Sequence, residues 1–302
     1  MTTRVTGARL RGSWAVVLLV GLLAWGGALI AASITGDSVL IPLVPLIGSF
    51  IVPFSILVWA LEYTGRTGSV LTPARLVMGF AAGGVLGLWP AALIEHWLID
   101  LAPALYVVSV AATEEVIKLL IVVLIAVGLG TYRRRDGMIL GAVVGLGFAA
   151  FESLGYAYAT ATTLLSVDGA AAAELLLSRA LLAPLGHGLW TALVAGALFA
   201  AARNGRLRMT GNVWLWLGIA ILLHIGWDAS AGLAALLVSG ILGRDLTWTE
   251  FRTGAVPGLM GAEHLLIGTV RFAFLALNAT VALWLIARQW RKEPADVEAV
   301  PD

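Results

Sequence analysis

Apolar residues run along the chain in eight stretches, roughly 13 to 33, 39 to 61, 76 to 94, 103 to 130, 138 to 163, 176 to 202, 212 to 239 and 266 to 287, with short polar segments between them. Each is close to the ~20 residues a helix needs to cross ~30 Å of hydrocarbon, so the pattern predicts eight transmembrane helices. The first follows Arg4, Arg9 and Arg11, yet its apolar run is longer than the roughly 7 to 15 residues of a signal-peptide core. It is therefore expected to span. The fold class is all-α, a polytopic membrane helix bundle.

Composition agrees with the pattern. The chain is 60% hydrophobic and 12% charged, against about 25% charged for a soluble domain. The absence of cysteine excludes disulfides, thiolate metal sites and cysteine nucleophiles. The formal net charge of +1 says little, but the placement of charge says more. With the N-terminus in the cytoplasm, fourteen of the 19 basic residues fall at inner segments, among them Arg4, Arg9, Arg11, Arg133, Arg134, Arg135, Arg203, Arg206 and Arg208. The outer loops hold only Arg244 and Arg252, beside acidic residues such as Asp37, Glu95, Asp168, Glu174 and Glu250. Both termini are thus predicted inside. The hydrophilic piece from 240 to 263, with Trp248 and Phe251, is expected to be a solvated outer loop rather than a lid. Tryptophans near span ends, such as Trp89, Trp97, Trp214 and Trp284, fit interfacial belts. Glycines including Gly79, Gly83, Gly141, Gly145 and Gly147 fit close helix packing.

Ionisable groups at membrane depth are expensive and mark functional cavities. They occur in four successive stretches: Glu114, Glu115 and Lys118 in the fourth, Glu152 in the fifth, His187 in the sixth, His224 and Asp228 in the seventh. At ~100° per residue, Lys118 falls between the two carboxylates on one helical face, and His224 and Asp228 share another. Phe148, Glu152 and Tyr156 form one stripe. At ~1.5 Å per residue, Glu114 and His187 lie ~16 Å from their outer helix ends, and Glu152 and His224 ~21 and ~18 Å from their inner ends. All four come to one layer, on the outer side of the midplane. Interhelical glue would need only neutral Ser or Thr, so a polar cavity is the expectation. Pro184, just before His187, is expected to kink its helix.

The sequence lacks HExxH and GxSxG motifs, and Asp228 alone cannot form an aspartyl dyad. Carboxylates with histidines remain. Such a set can activate water by general base catalysis, and an oriented histidine can donate to a developing oxyanion. The same residue types can hold zinc with one position left for water.

Four ordered motifs then carry a resemblance: EExxK at Glu114, Glu115 and Lys118; GFxxFExxxY from Gly147 to Tyr156; HxxWT from His187; and HxxWD from His224 to Asp228. Together they resemble the PrsW family of bacterial intramembrane proteases, related to CAAX prenyl proteases and bacteriocin-processing enzymes. The resemblance covers about 103 to 239 and implies a site lined by Glu114, Glu115, Glu152, His187 and His224, supported by Lys118, Asp228 and Tyr156. It also implies a membrane-anchored protein or peptide as substrate, in some members an anti-sigma factor, and a bacterial plasma membrane location. No nucleic acid is expected as partner. Ser153 and Asp228 stand where the family often has Asn. Because an ionised Asp cannot donate a hydrogen bond, Asp228 is expected to orient His224.

Three segments follow: three N-terminal transmembrane helices over 1–102, a four-helix catalytic core over 103–239, and an outer loop, last helix and cytoplasmic tail over 240–302. No cofactor is predicted, because Lys118 would repel a dication beside the carboxylates. The alternative is zinc held by His187, His224 and Glu115. The competing functional classes are a proton-coupled transporter using the same Glu/His cluster as a relay, and a non-catalytic scaffold.

Overall fold

A computed structural model of the chain describes residues 12–37, 39–101, 105–164, 182 and 185–292. The sixth apolar stretch is described from 185 onward, apart from residue 182. The expected kink at Pro184 lies outside the described residues, as do Arg4, Arg9, Arg11, Asp168, Glu174 and Arg179.

The architecture is all-α. The helices are α1 (Ser13–Thr35), α2 (Leu40–Thr64), α3 (Pro73–Leu101), α4 (Tyr106–Ala126), α5 (Arg134–Leu164), α6 (His187–Ala200), α7 (Gly211–Asp228), α8 (Ser230–Ile241), α9 (Trp248–Thr253) and α10 (Gly261–Trp290). Helix is the expected answer for such segments, because hydrocarbon offers no water to satisfy backbone N–H and C=O groups. Five of the helices are long and apolar enough to cross a membrane, and α7 with α8 forms a sixth candidate bent by 52°. Helix α4 has 21 residues but carries three buried charges, Glu114, Glu115 and Lys118. The protein is a multi-pass membrane protein.

Helix ends follow local chemistry. Gly36, at φ 63°, closes α1 in the left-handed conformation that costs glycine little. Pro73 begins α3, where its missing N–H is no loss. Asn204 and Gly205 both have positive φ, and a bridge pairs Arg203 with Arg206. This tight turn makes α6 and α7 antiparallel neighbours. At the same end of the bundle, the Glu62 carboxylate accepts from the N–H groups of Gly12 and Ser13 at 3.2 and 2.7 Å, a favourable place for an anion. There too Arg135 donates to the Trp290 carbonyl and Arg133 to that of Gly68. The loops expected on one side of the membrane thus meet at one end.

Helix α5 is the central post, packed on α2, α3 and α6. Its Gly137, Gly141 and Gly145 face the backbone carbonyls of Ala195, Thr191 and His187 on α6. A Cβ at Gly141 would stand 2.5 Å from the Thr191 oxygen, so the two backbones touch, as in small-residue packing of membrane helices. On the other side Gly147 meets the Phe80 carbonyl of α3 while Gly83 meets that of Val144. These contacts hold the segment that carries Glu152 against both neighbours.

Candidate active site

Four helices deliver polar side chains to one buried point. Glu114, Glu115, Lys118, His187 and His224 are each at most 4% exposed. Lys118 sits at the centre: its ammonium Nζ is 2.6 Å from Glu115 Oε1, 3.2 Å from Glu114 Oε2 and 2.8 Å from His187 Nδ1. It also lies 4.4 Å from the centre of the Phe148 ring, a cation–π distance.

An ammonium only donates, so His187 Nδ1 accepts from Lys118. A neutral His187 then carries its hydrogen on Nε2, which lies 3.1 Å from Glu152 Oε2. His224 is held differently. Its Nδ1 is 3.2 Å from Glu115 Oε1, and its Nε2 is 3.3 Å from Asp228 Oδ2. A neutral imidazole can donate to only one of these carboxylates. Glu114 Oε2 lies between the rings, 3.7 Å from His187 Nδ1 and 3.7 Å from His224 Nε2. Those gaps are longer than direct hydrogen bonds, so Glu114 Oε2 is bonded to Lys118 but to neither ring, whereas Glu115 Oε1 is shared by Lys118 and His224 and Glu115 Oε2 is buried without a partner among the described residues. The two imidazoles meet edge to face at 5.0 Å, and Trp190 stacks on His224 at 4.6 Å.

Tyr156 is not part of this buried group, being 53% exposed one turn beyond Glu152 on α5. Two features were not expected. Glu95, assigned from sequence to an outer boundary, lies inside α3 with its Oε1 buried and unpartnered, in electrostatic range of Glu152, His224, Lys118 and Asp228. The seventh stretch is not one rod: it bends by 52° between Asp228 and Ser230, next to the site. The outer segment, expected to be solvated, contains the short helix α9, which packs on α8. Thr247 caps α9 through Glu250 in a reciprocal capping box. The backbone N–H of Thr247 donates to Glu250 and holds its carboxyl below the ordinary range.

Ligand atoms of Glu114, His187 and His224 lie within 4.8 Å of one another, so a dication would find two imidazoles and a carboxylate. The carboxylate of this set is Glu114 rather than Glu115. The second nitrogen of each imidazole faces another carboxylate, as ligating histidines commonly do. Lys118 is bonded to two of the three residues, however, and its positive charge holds the donors that a dication would need.

A model of a family described as PrsW family intramembrane metalloprotease matches residues 72–248. The match begins at the start of α3, one helix earlier than the motifs do. No curated protein and no solved structure matches the chain.

Proposed function

The chain belongs to the PrsW family of intramembrane proteases, and on that premise we propose that it is an endopeptidase whose water is activated by Glu114 at the buried Glu/His cluster. The observation that carries this reading is the position of Glu114 Oε2, midway between two imidazoles at 3.7 Å each. At that distance neither ring hydrogen-bonds the carboxylate directly, and a water beside them would reach the carboxylate oxygen and a ring nitrogen together.

The roles follow from the contacts. Glu114 takes a proton from water as its oxygen attacks the peptide carbonyl carbon, and the carbonyl π electrons move onto the oxygen. His224, with a hydrogen on each nitrogen, keeps its Nδ1–H on Glu115 and turns its Nε2–H from Asp228 to that oxyanion. Collapse of the tetrahedral intermediate restores the carbonyl and breaks the C–N bond, and the leaving amine takes the proton from Glu114. Lys118 offsets the charges of Glu114 and Glu115 within the bundle, and Glu152 fixes the tautomer of His187. Should a divalent metal bind, Glu114, His187 and His224 would hold it, and it would act as a Lewis acid towards water. The contacts of Lys118 with those ligands support the metal-independent route.

We assign eight membrane crossings with both termini cytoplasmic, a bacterial plasma membrane location, and membrane-anchored proteins or peptides as substrates, with anti-sigma factors among the possible targets. The four-helix core of 103–239 carries the chemistry. Membership of a protease family outweighs the proton-relay alternative. The test compares membrane peptide profiles of cells producing wild type or Glu114→Gln at equal protein level. A product found only with wild type is expected, and identical profiles would refute the assignment.

A further inference from the structure

Hydrolysis consumes water, yet Glu114, Glu115, His187 and His224 are almost wholly buried. Asp228 is the most open member of the group among the described residues, its side chain 32% exposed. It lines a cleft with Tyr106 at the start of α4, Ala229 and Gly232 at the α7/α8 bend, and Trp248, Phe251 and Arg252 on α9. From this geometry we propose that the cleft under α9 is a water-binding entry, through which water reaches Glu114 by way of Asp228 and His224. The inference rests on the hydrolase reading above.

Three observations support it. The cleft has about 40 Å³ of room for water, enough for about three molecules at the ~10–15 Å³ each requires. Its polar lining mixes donors and acceptors: the Tyr106 hydroxyl, the Asp228 carboxylate and the Arg252 guanidinium. Such groups hold water where an apolar gap stays dry. The cleft also ends on the site itself. Asp228 Oδ2 is 3.3 Å from His224 Nε2, which is 3.7 Å from Glu114 Oε2. The 52° bend lies at the cleft, with Ala229 at the break and Gly232 just beyond it both in its lining. The Phe251 carbonyl rests against Gly232, where a side chain would push α9 away.

The chain has no cysteine, so Ala229→Cys supplies a lone thiol in the cleft, and Leu222→Cys supplies one on an outward position of α7 that is 68% exposed. Both are treated with a charged methanethiosulfonate in membrane sheets open on both faces, then unfolded to count the remaining thiols. The reacting species is the thiolate, which forms in water and not in hydrocarbon, so Ala229→Cys should react at least about tenfold faster. The rate should be the same with Glu114→Gln added. Equal rates for the two positions, or an inert Ala229→Cys, would overturn the proposal. Labelling with a bulky group should remove the product specific to wild type, and a product that persists after complete labelling would also overturn it. Because labelling needs no turnover, a reactive Ala229→Cys with no product in any profile would refute the protease reading and leave the water entry standing.

Discussion

Replacing Lys118 by Met, an unbranched side chain one heavy atom shorter, removes its charge and its donors while changing its shape little. The ammonium sits 2.6 Å from one carboxylate and 3.2 Å from the other, with no exposure. At an effective dielectric of about 20, these contacts correspond to gross attractions of about 6 and about 5 kcal/mol. Desolvation of the ions, several kcal/mol each, offsets most of that gain. What the substitution leaves is two buried carboxylates facing each other with no cation between them, and breaking a buried pair in this way costs about 3–5 kcal/mol. Equilibrium unfolding of purified protein in mixed micelles, driven by SDS, measures the loss. Adding Glu115→Gln to Lys118→Met removes the carboxylate that made the shorter contact and should recover more than half of it. A loss below about 1 kcal/mol, or a double variant no more stable than Lys118→Met, would show that Lys118 is not the electrostatic centre of the site.

Purified protein should keep its peptidase activity after exhaustive chelation and contain far less than one zinc per chain; activity lost to chelator and restored by stoichiometric zinc would put the metal among Glu114, His187 and His224 instead. Gly141→Leu forces side-chain atoms against the Thr191 carbonyl, which a Cβ alone would approach to 2.5 Å, and should cost at least the ~1–3 kcal/mol typical of overpacking along with most of the activity; unchanged unfolding would contradict the contact. Reporter fusions after Arg135 and Arg208 should report the cytoplasm and one at Gly243 the outside, and an outside signal at Arg135 would reverse the topology.

Much of the site follows from periodicity. Lys118 lies three and four residues after the two glutamates, so any helix through them puts the ammonium between the carboxylates, as the contacts show. Counting residues from helix ends brought Glu152, His187 and His224 to the same depth as Glu114. Glu95 escaped because a span was taken to end once ~20 residues had been used, whereas α3 runs 29 residues to Leu101 and keeps Glu95 within the bundle. The bend after Asp228 had only a weak local marker: no proline interrupts the seventh stretch, and Ser230 and Gly232 alone stand at the break. Periodicity within one stretch does not show how the next element packs back on it. Nor could it choose between Glu114 and Glu115, since which carboxylate stays close to Lys118 depends on how α6 and α7 face α4.

The contact of α5 with α6 also determines how the enzyme responds to its lipid. Tilting is one way transmembrane helices adjust to a bilayer of different thickness, and two helices joined backbone to backbone through Gly137, Gly141 and Gly145 cannot tilt separately. Thinning or thickening of the membrane is therefore taken up at the periphery, above all by α1, whose membrane window has no buried residue. Glu152 and His187 keep their spacing while the outer helices move. The three missing side chains insulate the chemistry from the mechanical state of the membrane around it.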